Sequence, residues 1–331
     1  MKKILNNPIF KFSHSLLILM LSYSLSLHAE ISFPSRPIKI IVPNAAGGAA
    51  DITARTLAQK LSESLGQQVI IENKPTAGGI AAAEQVAKSD PDGHTLLLIS
   101  SGTAVTAALF RSLPFDTLKD FTPVSKLAVF DLVIAVSENG KFKSITDLIA
   151  FAKNNPGKLN IGTPQIGTTQ NLAAELFLST AGISAQIVPF NGTPPVINAL
   201  RGNEIDAMVD ILGPLIPQIK GNFLRPLSLM GERRFGLLSD TPILRELGGN
   251  FQQFNVASWN GLAAPSKTPK EIISKLNFEI QLILNSKDFI SKLTDLNVTV
   301  QGGTSEQAYE LLSNDIKRWK NVIEKSKIER Q

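Results

Sequence analysis

The stretch Ile38–Asn73, IKIIVPNAAGGAADITARTLAQKLSESLGQQVIIEN, decides the fold class. IKIIVP is an apolar run of strand length, and DITARTLAQKLSESLG after it places Ile52, Leu57, Leu61 and Leu65 near one helical face, with Gly66 as a stop. QQVIIEN is a second strand. Working outward, TAGGIAAAEQVAKS supplies another helix, DPDG a turn and HTLLLIS a third strand. A β-α-β-α-β order implies parallel pairing through right-handed crossovers, so the expected class is a doubly wound α/β fold.

The pattern restarts after DFTPVSKL. AVFDLVIAVS reads as a strand and crossover, SITDLIAFAKNNPG as a helix, and KLNIGTP as a strand ending in a glycine loop. Helix TTQNLAAELFLSTAG, strand ISAQIVPF, helix TPPVINALRGN and strand EIDAMVDI follow, then ASWNGLAAP as an extended apolar segment and two helices in the tail. The economical arrangement is a discontinuous α/β domain, residues 30–127 with 251–331, around a second α/β domain at 128–250. Three sequential units are the alternative.

Composition narrows the function classes. With 331 residues, 43% apolar and 18% charged, the chain has material for a large core rather than a disordered ensemble. Lys2, Lys3 and Lys11 precede SLLILMLSYSLSL and then HAE, the pattern of an export leader cleaved after Ala29. An uncleaved membrane anchor is the competing reading, but the core from Leu16 to Leu27 falls short of the roughly 20 residues a bilayer requires. Removing residues 1–29 takes away three lysines and no acid, lowering the formal charge from +5 to +2. That balance, with Lys and Arg scattered, gives no reason to expect nucleic acid. There is no cysteine, hence neither a disulfide nor a lipid attachment point.

Of three histidines, His14 and His28 fall in the leader, leaving His94, which reads as the end of a turn before a buried strand. A histidine-based nucleophilic triad and a multi-histidine metal site are therefore not expected, and neither a metal nor a cofactor is assigned. Gly47 and Gly48 follow the first strand, but GGAAD matches neither GxGxxG nor GxxxxGK[ST], so a nucleotide loop is not supported. Two readings of this loop remain open: a small-anion contact through helix-terminal amides, or a structural turn.

Three further loops share the arrangement: SSGTAVTA (Ser100–Ala107), PQIGTTQ (Pro164–Gln170) and PFNGTPP (Pro189–Pro195), each after a strand and at a helix start. Ligands bind at the carboxyl ends of open α/β sheets, so four such loops in two domains point to an interdomain cleft. Its candidate side chains, Asn44, Ser101, Thr103, Thr168, Thr169, Gln170, Asn191 and Thr193, are all neutral. Asp51 is read chiefly as securing its own helix. Asp210 either accepts a hydrogen bond from ligand or water, or binds the backbone that follows it.

The segments FPSRPIKIIVPNAAGGAAD, VIIENKPTAGG, KSDPDGHTLLL, LPFDTLKDFTPV, GTTQNLAAELF, PFNGTPPVINALRGNEIDAMVD and WNGLAAP carry a further likeness. From roughly Phe33 to Ile323 the chain resembles the tripartite tricarboxylate transporter substrate-binding receptors, the Bug family. The resemblance implies a two-domain, type II-like periplasmic binding protein that closes on a small carboxylate and presents it to a membrane permease. It implies backbone and ordered-water contacts from Ala46, Gly47, Gly48 and Ala49, with a second contact at Ser101, Gly102 and Thr103. Gly167 and Thr168 would anchor a ligand carboxylate, and Asn191, Gly192, Thr193 and Asp210 would line the pocket. A monomer is expected. The chain departs from the family pattern at Ala45 and Ala46, where prolines are frequent, and at Gln170, where histidine or asparagine is common. Trp259 is read as packing, with cleft lining the alternative. Beside the transport reading stand a receptor that signals to a membrane sensor and an enzyme using Asp51 or Asp210.

Overall fold

The computed structural model describes residues 33–234, 236–295 and 298–331. The expected leader and its cleavage after Ala29 lie outside them. Chain order begins β1 (Ile38–Val42), α1 (Ala49–Leu65), β2 (Val69–Asn73), α2 (Ile80–Ala87), β3 (Thr95–Ser100) and α3 (Ser101–Leu109). β1 pairs in parallel with β2 on one side and β3 on the other. Ile38, Ile40, Ile41 and Val42 are all fully buried, the pattern of a parallel strand covered on both faces. The buried face of α1 is Thr53, Ala54, Leu57, Ala58 and Leu61; Ile52 and Leu65, expected on it, are only half-buried at its margins. Gly66, at φ 65°, ends the helix in the left-handed conformation that glycine takes without strain.

The restart expected after DFTPVSKL falls inside a strand that has already begun at Phe121. That segment forms the first part of β4 (Phe121–Ser137), a 17-residue strand. Register shifts at Pro123/Ser125 and Lys126/Ala128 disturb its alternation, and a bulge accommodates the proline that cannot donate to a ladder. Phe121–Asp131 pairs antiparallel with β9 (Ala257–Pro265), whereas Leu132–Ser137 pairs with β7 (Ala207–Ile211) and β8 (Leu224–Leu229). One strand therefore serves both halves of the molecule.

Between these stretches run α4 (Ile145–Asn154), β5 (Asn160–Thr163), α5 (Thr169–Ala181), β6 (Gln186–Pro189), α6 (Thr193–Arg201) and α7 (Ile216–Lys220). β5 is parallel to both β6 and β7, as the alternating pattern requires. Val133, Val196, Leu200, Met208, Leu212 and Leu229 form one buried cluster of this second half. The strand path is β2-β1-β3-β9-β4-β7-β5-β6. The tail adds α8 (Lys270–Leu284), α9 (Lys287–Thr294), β10 (Val298–Val300) and α10 (Ser305–Lys325), of which α9 and β10 have no counterpart in the sequence reading. α8 packs on α1, and α10 on α3 and β4, so the tail returns to the first half. Among the described residues, no helix is long and apolar enough to cross a membrane.

Candidate functional site

β1, β5 and β6 each end in a loop that leads into a helix, β3 runs directly into α3, and the four strand-to-helix junctions meet. At the first, Gly47 takes φ 83° and donates its amide to Asp51 Oδ2 at 3.0 Å. Asn73 Nδ2 donates to Asp51 Oδ1 at 2.9 Å and to the Asn44 carbonyl at 3.0 Å, while Arg55 Nε donates to Oδ2. Burial pushes the Asp51 carboxyl upward, but the bonds from Arg55, Gly47 and Asn73 outweigh it and hold the group below the usual carboxylate range. The Gly47 amide is thus committed to its own loop. No side chain caps α1, whose N-cap is Gly48; Gly48, Ala49 and Ala50 border the cavity, whereas Ala46 and Gly47 do not.

At the second loop, Ser100 Oγ accepts the Gly102 amide at 3.1 Å, and Thr103 Oγ1 accepts the Ser100 amide at 3.0 Å. This reciprocal cap fixes the entry to α3. Ser100, Gly102 and Thr103 face the cavity. Ser101 is buried behind them and contributes to the surroundings of Asp315 on α10. Trp259 Nε1 donates to Asp315 Oδ2 at 2.9 Å, so the indole packs in the first half rather than lining the cleft. Burial raises the Asp315 carboxyl against the lowering pull of Trp259, Arg318, Ser101 and Trp319.

At the third loop, Thr168 Oγ1 donates to the Gln165 carbonyl at 2.7 Å and accepts the Asn171 amide at 3.2 Å, capping α5. Gly167, at φ 82°, lies against Gly78, whose amide donates to the Ile166 carbonyl at 2.8 Å and whose carbonyl accepts from Thr106 Oγ1 at 2.9 Å. At the fourth, Gly192 takes φ 102° and no side chain caps α6; a Cβ on Gly192 would sit 2.6 Å from the Ala45 methyl. Gly192 and Thr193 border the cavity. Asn191 is one step removed and accepts from Gln165 Nε2 at 3.0 Å. The loops of the two halves are therefore in contact, with a cavity between them.

Asp210 is 0% exposed and lies beneath the wall rather than in it. Its Oδ1 accepts the Ile211 amide at 2.7 Å and Gln170 Nε2 at 3.1 Å. Burial pushes this carboxyl up to about 6, partly offset by Gln170, the Ile211 amide and Thr193. Of the two roles open to it in the sequence, the bond to the following backbone is present. The third partner, Gln170, was not foreseen.

β9 adds Ser258 and Asn260, which no loop motif signals. They occupy one face of the strand, two residues apart, while Trp259 occupies the other. Ser258 Oγ lies 3.4 Å from Thr169 Oγ1. Asn260 is 3% exposed, and its Nδ2 has no hydrogen-bond partner among the described residues. Gln165 also joins the wall. The alternation of S-W-N within ASWNGLAAP was the available signal, hidden by the apolar residues around it.

Electrostatically the wall is unusual for a polar site, because none of its residues is Asp, Glu, Lys, Arg or His. The helix starts of α1, α3, α5 and α6 supply partial positive charge instead, with α1 and α6 left uncapped by side chains. Among the described residues, no three His, Cys, Asp or Glu side chains come together as a metal site would need. Such an arrangement can hold an anion through oriented amides and hydroxyls. It offers no ionisable group on the cavity surface for proton transfer.

The sequence profile described as the tripartite tricarboxylate transporter family receptor matches residues 53–328. Among solved structures, the periplasmic binding protein BugD is similar with a TM-score of 0.86 and 28% identity, over 90% of this chain and 100% of that one. Rpa4515 of R. palustris with adipate has a TM-score of 0.85 and 31% identity, over 89% of this chain and 98% of that one. MatC from Rhodopseudomonas palustris with bound malate has a TM-score of 0.83 and 31% identity, over 88% and 100%. The chain accordingly has the two-domain α/β fold of a periplasmic binding protein.

Proposed function

The chain belongs to the tripartite tricarboxylate transporter receptor family, and from that premise we propose that it captures a small carboxylate in the cleft by domain closure and delivers it to a membrane permease. The observation that carries this reading is the convergence of four helix starts on a cavity with no ionisable side chain in its wall. Adipate and malate, held by two structural neighbours, are both dicarboxylates, anions of the kind that oriented amides and hydroxyls hold.

In this reading the carboxylate meets the amides of Gly48, Ala49 and Thr193 and the hydroxyl of Thr103, while Gly102, Thr168 and Gly192, whose donors already serve Ser100, Gln165 and Phe190, shape the wall around it. The domains are residues 30–127 with 251–331 around 128–250, a division supported by the change of pairing partners at Asp131–Leu132 on β4 and at the start of β9. Closure brings the Ala45 loop onto Gly192 and selects the liganded state. The protein is exported, works as a monomer in the periplasm after cleavage of its leader, and converts nothing: the acid leaves unchanged. Calorimetric titration of the mature, ligand-stripped protein with dicarboxylates, tricarboxylates, aromatic acids and amino acids tests this. Saturable binding of at least one acid without product is the expected result; a folded protein that binds none of them overturns the reading.

A further inference from the structure

We propose that the ligand carries, besides its carboxylate, a hydroxyl or amino substituent, whose hydrogen Gln170 Oε1 accepts while Asn260 Nδ2 donates to another oxygen of the same molecule. This rests on the carboxylate reading above and narrows it to substituted acids.

Two observations from different elements support it. First, Gln170 borders the cavity and its amide is oriented from behind. Its Nε2 donates to Asp210 Oδ1 at 3.1 Å, and that oxygen already accepts the Ile211 amide. An ionised carboxylate only accepts, so the amide nitrogen is fixed towards Asp210 and the amide oxygen is turned the other way. An acceptor on this wall is wasted on a bare carboxylate, which has no hydrogen to give. It is satisfied by an O–H or N–H.

Second, Asn260 presents a buried donor that has no hydrogen-bond partner among the described residues. A buried amide N–H without a partner is costly, and a ligand oxygen at the cavity wall removes that cost. Both residues line the same cavity, and Ser258, two residues before Asn260 on β9, lies 3.4 Å from Thr169. One side chain from each half of the molecule therefore reads the same ligand. A site built around such groups rejects an analogue that leaves them unpaired.

The test is calorimetric titration of the mature protein at pH 8, where Asp210 is ionised, with matched acids: succinate against malate and aspartate, glutarate against 2-hydroxyglutarate and glutamate. In at least one set, a substituted acid is expected to bind about tenfold or more tightly than its unsubstituted partner. Gln170→Leu is expected to bring that ratio to within about twofold, whatever its effect on overall affinity, with far-ultraviolet circular dichroism and a cooperative thermal transition reporting that the variant is folded. The wild-type ratios stand without the variant. Unsubstituted acids binding as tightly as their partners in both sets overturn the inference, as does a preference that survives Gln170→Leu. If these six acids fail while an unsubstituted acid of the wider panel binds, the inference falls alone; if the whole panel fails, the carboxylate reading falls with it.

Discussion

Asp51 and Asp210 are both buried, yet their surroundings set them apart. Asp51 is met by Arg55, Asn73 and a glycine amide and stays below the usual carboxylate range; Asp210 has no cation and is pushed up to about 6. Asp51 was legible in the sequence because an acid in the first turn of a helix has a local purpose. Asp210 was not, since its environment comes from β4, α5 and α6, all distant in sequence. The sign of its effect follows. With a folded value near 6 above an unfolded value near 3.8, the folded state holds the proton more tightly, so stability falls as pH rises through that window. Asp210→Asn keeps an oxygen for the Ile211 amide and Gln170 while removing the charge. Urea unfolding of the two proteins should agree near pH 4 and diverge to about 3 kcal/mol in favour of the variant by pH 8. A difference constant across that range would contradict the assignment.

Elements were legible where the local pattern was clean. The alternation β1-α1-β2-α2-β3 and the four glycine or hydroxyl loops stood out because each strand end and helix start lies within a few residues. β4 was shortened because Pro123 and two register shifts break the period that identifies a strand. α9 and β10 were missed because a two-turn helix and a three-residue strand carry little periodicity. The loop before α6 gives a direct test. Gly192→Ala meets the Ala45 methyl across the cleft, whereas Gly182→Ala, also at positive φ, meets nothing. Both substitutions should destabilise by about 1–3 kcal/mol through backbone strain. Only Gly192→Ala should also weaken acid binding, by about tenfold, because it alone holds the halves apart. Equal affinity losses in the two variants would show that the contact plays no part in closure.

At the scale of the whole molecule, binding and stability are linked. A ligand that bridges both halves binds the folded protein alone, so at 100 times its dissociation constant it adds about 2.7 kcal/mol to stability. Thermal unfolding in the presence of a bound acid should therefore rise by several degrees and continue to climb with the logarithm of acid concentration. A midpoint that ignores an acid shown to bind by calorimetry would mean that the site is not part of the cooperative fold. The division into two halves could be read from the restart of the α/β pattern. Sequence spacing did not reveal that one 17-residue strand serves both, because pairing partners are chosen in three dimensions.

Asp315 gives the molecule an optical property. The chain has two tryptophans, and both Trp259 and Trp319 flank this one carboxylate, immediately behind Ser101 at the start of α3. All indole emission therefore originates behind the single loop that opens α3 at the cavity. The protein carries its own spectroscopic probe on one wall of the cleft, and its ultraviolet fluorescence follows that wall without an attached label.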